Sequence, residues 1–236
     1  MKILAMDTST YVLGTALAED RQTVAEFTTH IKKNHSVRLM PAVRSMMQET
    51  GWKPADLDAV AVAEGPGSYT GVRIGVTTAK SMAWALNIPV IGLSSLEVLA
   101  QNGKYSSGLI SPFFDARRGQ VFTGLYRWEN GRAVSIAEDR IIQHDEWLDY
   151  VKSWNEPVLA LSPDYDKHEA LLQEKLGNLL TAPSPIDQLP RPASLALLAA
   201  DREAEHVHAF TPNYLRLAEA ETKWRAKQKE QSYDKG

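Results

Sequence analysis

The run Gly65-Pro66-Gly67-Ser68-Tyr69-Thr70-Gly71-Val72-Arg73-Ile74-Gly75 gathers more residues able to do chemistry than any other stretch of this 236-residue chain. Set between an apolar run and a helix-forming segment, such a loop can aim free backbone N–H groups and the positive end of a helix at a phosphate or carboxylate. It is not a Walker loop, because no Gly-Lys-Ser/Thr follows, and the G-x-G-x-x-G spacing fails at Thr70. Nor does Ser68 sit in a nucleophile elbow, since Pro66 and Thr70 stand where that turn wants glycine. The competing reading is a tight turn with close helix packing through Gly71 and Gly75. Asp7, followed by Thr8, Ser9 and Thr10, ends the first apolar run and suits an Asx-turn or hydroxyl-capped turn. Asp115, Arg117 and Arg118 make a compact charged turn that either holds an anion or closes on itself as a salt-bridged hairpin.

Metal chemistry on a helix needs two histidines facing the same way, typically four residues apart. His35 has Leu39 at that position, His30 lies five residues upstream in a strand-like run, and His206 and His208 fall in a charged segment. Each reads as a surface or structural histidine, so neither a metal site nor a cofactor is assigned. The chain has no cysteine, hence no disulfide framework, thiolate ligand or cysteine nucleophile, in keeping with a reducing cytoplasm. No run approaches the roughly 20 apolar residues needed to cross a bilayer. The expectation is a soluble, unprocessed, cytoplasmic protein with no membrane partner. A net charge of −3 gives no global attraction for a phosphate backbone. The basic residues Lys223, Arg225, Lys227 and Lys229 are interspersed with acids in the tail and read as a solvated terminus.

Elements that would position these groups follow from hydrophobic period and turn residues. Residues 2–6, 12–18 and 22–30 read as three strands joined by short polar turns. Asn34 and Ser36 can cap a helix running to about Glu49, stopped by Gly51. Residues 57–63 are apolar throughout, as in a strand buried on both faces. A helix over 72–87, a strand over 90–93 and a short helix capped by Ser94 or Ser95 complete the first unit, 1–103. The Gly-, Ser- and Asn-rich stretch 101–108 marks a boundary. Beyond it, strands at 109–114, 120–128, 133–142 and 157–161 and helices at 145–153 and 166–176 form a smaller unit, 104–192, with Asn130-Gly131 as a hairpin turn. The apolar segment 193–201 is expected to pack back onto the first sheet, ahead of a C-terminal segment and charged tail, 202–236.

The two N-terminal helices carry wide apolar arcs. In the first, positions 36, 40, 43 and 47 share a stripe while 39 and 46 fall on another; in the second, Val72, Val76, Ala79, Met82 and Leu86 are joined by Ile74 and Trp84 off the main stripe. Four of the six methionines lie here, and methionine suits a surface that adapts to another protein. Leu39, Met40, Val43, Met46, Met47, Val76 and Met82 are therefore the expected partner-facing residues, with complete burial inside the domain as the competing reading.

The order strand, strand, strand, helix, strand, helix, strand, helix matches an α/β architecture: the ribonuclease-H-like unit of the actin, Hsp70 and sugar-kinase superfamily, mixed sheets flanked by helices. ATP-using members hold a metal-nucleotide with an acidic residue at the first hairpin, the place of Asp7. They also need a second glycine-rich phosphate loop, and residues 104–236 contain no adjacent glycine pair. Asp7, Gly65, Gly67, Ser68 and Gly71 are accordingly read as vestigial anion or nucleotide loops and no catalytic residue is assigned. An ATP-dependent small-molecule kinase of this superfamily stays as the alternative.

Ile3-Leu4-Ala5-Met6-Asp7-Thr8-Ser9, His35-Ser36-Val37-Arg38-Leu39-Met40-Pro41, the block from Gly65 to Lys80, Asp115-Ala116-Arg117 and Pro212-Asn213-Tyr214-Leu215-Arg216 together resemble the TsaB family. The resemblance implies a two-lobed actin-like fold and a heterodimer with the paralogue TsaD through helices at about 35–50 and 70–87. It also implies a non-catalytic role: TsaD would carry metal and nucleotide and transfer threonylcarbamoyl from an adenylate to adenosine in tRNA. A TsaE-like ATPase would join the pair, tRNA would be met only through the complex, and a homodimer is plausible when the partner is absent. The family has also carried a peptidase label, for which the sequence offers neither nucleophile nor metal ligands.

Overall fold

A computed structural model describes residues 1–215. The chain opens with β1 (Lys2–Asp7), β2 (Leu13–Glu19) and β3 (Gln22–Thr29) as an antiparallel meander. After α1 (Leu39–Thr50), β4 (Ala59–Gly65) joins β1 in parallel; after α2 (Tyr69–Leu86), β5 (Val90–Ser94) joins β4, giving the order β3-β2-β1-β4-β5. The continuous apolar run in β4 follows from its central place, where both faces are covered.

Local chemistry sets the helix ends. Asn34 accepts a hydrogen bond from the Ser36 N–H at 3.0 Å and caps a single 3-10 turn, His35–Val37; α1 itself begins only at Leu39. Gly51, at φ 71°, supplies the left-handed residue that ends it. The second helix starts three residues before the expected position, because Ser68 rather than a later residue caps it through the Gly71 N–H at 3.4 Å.

A short helix, α3 (Ser95–Ala100), leads into the second lobe: β6 (Leu109–Asp115), β7 (Gln120–Glu129), β8 (Arg132–Gln143), α4 (His144–Lys152), β9 (Val158–Leu161), α5 (Tyr165–Leu176) and β10 (Leu180–Thr181). Its sheet order, β10-β9-β6-β7-β8, is that of the first sheet read from the other end: an antiparallel meander followed by two parallel strands. The hairpin between β6 and β7 is thus the counterpart of the hairpin between β1 and β2. The two-residue β10 had no signal of its own in the sequence.

The cores are layered accordingly. On one face of the first sheet, Leu4, Met6, Leu13, Leu17, Val60 and Val62 meet α1 and α2. On the other, Ile3, Ala5, Ala16, Ala61 and Ile91 meet α6 (Pro192–Ala199), through Leu195, Ala196 and Ala199. The second sheet packs one face on α4 and α5 and the other on α3 through Leu96, Leu99 and Ala100, while Val98 of the same helix joins the core of the first lobe.

This layering alters the expectation for the partner-facing residues. Leu39, Val43, Met46, Met47 and Val76 are buried within the lobe, while Met82 is only partly so. The wide arc of α1 is absorbed because the helix lies across β2 and β3 and is flanked by Trp52 and Leu57; the Met46 sulfur even receives the Thr15 hydroxyl at 4.0 Å. Of the seven, Met40 alone is exposed, at 43%.

Candidate functional site: the cleft between the lobes and the outer helix face

Two lobes with sheets of like topology border a cleft of about 650 Å³. The β1–β2 hairpin contributes Ser9, Thr10 and Tyr11; the start of α2 contributes Gly67 to Thr70; the β6–β7 hairpin contributes Asp115 and Arg117; and the segment entering α5 contributes Asp164 and Lys167. Lys32, Lys33 and His35 close the first-lobe side.

Packing accounts for the glycines of the Gly65–Gly75 run. A Cβ on Gly67 would stand 2.3 Å from the Ser9 carbonyl oxygen, and one on Gly71 would stand 2.1 Å from that of Thr8. The Ser68 N–H donates to the Ser9 carbonyl at 2.7 Å and the Thr8 hydroxyl to the Gly71 carbonyl at 2.7 Å, so loop and hairpin are clasped together. Gly65 needs its identity twice over, with φ 113° and a Cβ position 2.6 Å from the Asn213 carbonyl.

Asp7, 2% exposed, forms an Asx turn by accepting the Ser9 N–H at 2.8 Å, and its other oxygen has no hydrogen-bond partner. Burial pushes this carboxyl up from the ordinary aspartate range, against the opposing pull of Ser9 and of charge on His35. Across the cleft, Asp115 accepts the Arg117 N–H at 2.8 Å and the Lys167 ammonium at 3.3 Å. Burial acts to raise its carboxyl too, but those two donors outweigh it and hold the group below the usual range. Arg117 and Arg118 both adopt left-handed backbone, φ 65° and 56°, next to Gly119 at 75°.

Behind this turn lies a pair that no sequence motif marks. His144 and His168 meet Nδ1 to Nδ1 at 2.8 Å, packed on Phe113, with His168 Nε2 3.9 Å from Asp115 Oδ1. Burial first, then charge on His168, pushes His144 down to about 3; burial also lowers His168. His206 and His208 lie beside each other near the chain's end, 5.4 Å between ring centres, and among the described residues no cluster of three or more His, Asp or Glu is placed to hold a metal ion.

The segment after α6 returns across the first lobe into the cleft. The Glu205 N–H donates to Val90 O at 2.9 Å, Lys80 donates to Phe210 O at 2.5 Å, the Asn213 N–H donates to Glu64 O at 2.8 Å, and Tyr214 stacks on Tyr69 at 4.8 Å. That explains the Pro212–Leu215 stretch; Arg216 and the basic residues Lys223, Arg225, Lys227 and Lys229 lie outside the described residues. Exposed apolar side chains of this lobe include Val37 in the 3-10 turn before α1 and Trp84 near the end of α2, each 67% exposed, besides Met40 in the first turn of α1.

Paired lobes with matched topology and a shared cleft define a two-lobed actin-like, ribonuclease-H-like protein. The family model described as TsaD, tRNA N6-adenosine threonylcarbamoyltransferase, matches residues 22–224. The tRNA threonylcarbamoyladenosine biosynthesis protein TsaB of Bacillus subtilis is 50% identical over 97% of this chain and 100% of its own length. The Escherichia coli protein of the same name is 31% identical over 92% and 95%. The solved structure of YeaZ from Pseudomonas aeruginosa superposes with a TM-score of 0.75 at 26% identity, covering 91% of this chain and 99% of that one. The chain belongs to the TsaB family. No described helix is long and apolar enough to cross a membrane.

Proposed function

We propose that this chain is a non-catalytic subunit that pairs with a TsaD-type paralogue and supports formation of threonylcarbamoyladenosine in tRNA. The observation that carries the reading is 50% identity to a named TsaB over nearly the whole chain, and exposed apolar side chains stand at Met40 on α1, at Trp84 on α2 and at Val37 in the turn before α1. Large apolar side chains held out in water on rigid helices gain by meeting a second protein. In this reading the contact is made by the exposed residues, with Met82 at its margin, while Leu39, Val43, Met46, Met47 and Val76 hold the helices in position from below. A TsaE-like ATPase and tRNA are met by the assembled pair. The packing of Gly67 and Gly71 onto the Thr8 and Ser9 carbonyls supports the non-catalytic role, because the backbone a triphosphate would approach is already covered.

Co-purification with the TsaD of the same cell tests this. The double substitution Met40→Asp with Trp84→Asp places two charges in the contact and should weaken association by at least ~100-fold, about 3 kcal/mol, with unchanged circular dichroism. Undiminished association by a folded double variant would overturn the assignment. Tight binding of Mg-ATP by the isolated chain would instead support the small-molecule kinase.

A further inference from the structure

The chain beyond α6 is fastened to the first lobe at a few points only. Residues 203–214 form neither helix nor strand beyond a single bridge between Glu205 and Val90, and Phe210 is the one fully buried side chain among them. Their attachments are the Glu205 N–H on the Val90 carbonyl at 2.9 Å, the Asn213 N–H on the Glu64 carbonyl at 2.8 Å, Lys80 on the Phe210 carbonyl at 2.5 Å, and the stack of Tyr214 on Tyr69. The Phe210 ring is the apolar anchor, joining the core beneath α1 and α2. A segment with so much exposed backbone and one such anchor opens at a fraction of the free energy of the whole fold.

The side chain of Glu64, half-buried at the end of β4, lies under this anchor. A Cβ on Gly92 would stand 2.2 Å from Glu64 Oε2 and 2.6 Å from the Phe210 ring, so glycine at that place in β5 leaves the room in which acid and ring meet. Among the described residues no donor reaches the Glu64 carboxyl. The charged groups around it give it no relief. The segment above contributes the like charge of Glu205, with His206 and His208 stacked beside each other further along, and α2 contributes Lys80, whose ammonium is taken by the carbonyls of His208 and Phe210. Burial first and Glu205 second push the carboxyl up from 4.5 in the open chain to about 7.

We propose that residues 203–214 are a releasable strap on the first lobe and that Glu64 is its switch: the strap closes over the neutral carboxyl and loosens when that carboxyl ionises beneath Phe210 and beside Glu205. Opening returns the group to water and takes Glu205 away from it. Between pH 4.5 and about 7 the closed form therefore keeps a proton that the open form gives up. Closure is favoured at the acid end, weakens by up to about tenfold per pH unit through that window, and changes no further above it. Lys80 and Trp84 are four residues apart on α2, so the strap is fastened one turn from the exposed Trp84 and its opening alters the surface there.

The test is amide hydrogen exchange of the full chain by NMR from about pH 5 to 8, each rate divided by the intrinsic rate at that pH. Protection of the Glu205 and Asn213 amides, which bond the strap to the lobe, should fall at least tenfold between about pH 5 and 7 and then stay level, while the amides of the central strand β1 show no such fall. Glu64→Gln, which keeps the shape and cannot ionise, should hold both strap amides at their acid protection throughout. The double variant His206→Gln with His208→Gln should keep the fall of the parent. The proposal is overturned if the two amides show no fall across that window, if they fall as steeply in Glu64→Gln as in the parent, or if replacing the two histidines abolishes the fall. Partner association is not read in this experiment, so its failure would leave the pairing with a TsaD-type protein standing.

Discussion

His144 shows how much a single buried ring can weigh on stability. Its neutral state is enforced by burial and by its neighbour His168, so its pKa falls from 6.5 in the open chain to about 3 in the folded one. Between those values the unfolded chain binds a proton that the folded chain refuses, so the free energy of unfolding rises with pH. The contribution is complete above pH 6.5 and is lost as pH falls toward 3, at roughly 1.4 kcal/mol per pH unit for one such group. Urea titrations between pH 7 and 4 should therefore show a falling midpoint, and His144→Gln should flatten that dependence; an unchanged slope in the variant would place the acid sensitivity elsewhere. This pair was not legible in the sequence. The two rings are 24 residues apart on different helices, and only the folding of α4 against α5 brings them together. Asp7 and Asp115 were easier to read, because each accepts a backbone N–H two residues ahead, a bond that depends on local chain alone.

Element placement was legible where it depends on period and caps, and less so where it depends on what lies opposite. Gly51, Ser94 and Asn87 mark their helix ends as a sequence reading expects, whereas Asn34 caps only the 3-10 turn ahead of α1. The apolar arcs of α1 and α2 signalled wide burial, but periodicity cannot say whether a neighbouring strand or another protein supplies the cover. Here β2, β3 and the segment around Trp52 and Leu57 do so for α1, leaving Met40 outside. The glycine run divides in the same way. Its position before a helix was evident, whereas its meaning depended on the Thr8 and Ser9 carbonyls brought up from sixty residues away. A graded response should follow. Gly71→Ala drives a methyl against a backbone carbonyl at 2.1 Å, where neither side can yield, and should cost about 1–3 kcal/mol or more. Gly75→Ala meets the Thr8 hydroxyl at 2.6 Å, the end of a side chain that can rotate, and should cost less. Denaturant midpoints of the two variants check the order, and equal losses would mean that α2 is not seated by contact at Gly71.

For the whole molecule, the exposed face of the first lobe has a consequence when no partner is present. Met40 and Trp84 lie on helices whose inner sides are buried, and Val37 in the turn leading into α1, so these exposed side chains are not absorbed by their own lobe. Two copies can cover it by an isologous, two-fold contact, in which each chain presents the same patch to the other. The isolated chain should then sediment as a concentration-dependent dimer, and Trp84→Asp should shift it to monomer without loss of secondary structure. Val43→Asp provides the contrast. Its side chain is buried beneath α1, and an unpaired carboxylate there opposes the whole of the roughly 5–15 kcal/mol that keeps a domain folded. That variant should lose helical signal and aggregate rather than yield a folded monomer. A folded, monomeric Val43→Asp protein beside a dimeric Trp84→Asp protein would reverse the assignment of inner and outer faces, and with it the surface offered to the paralogue.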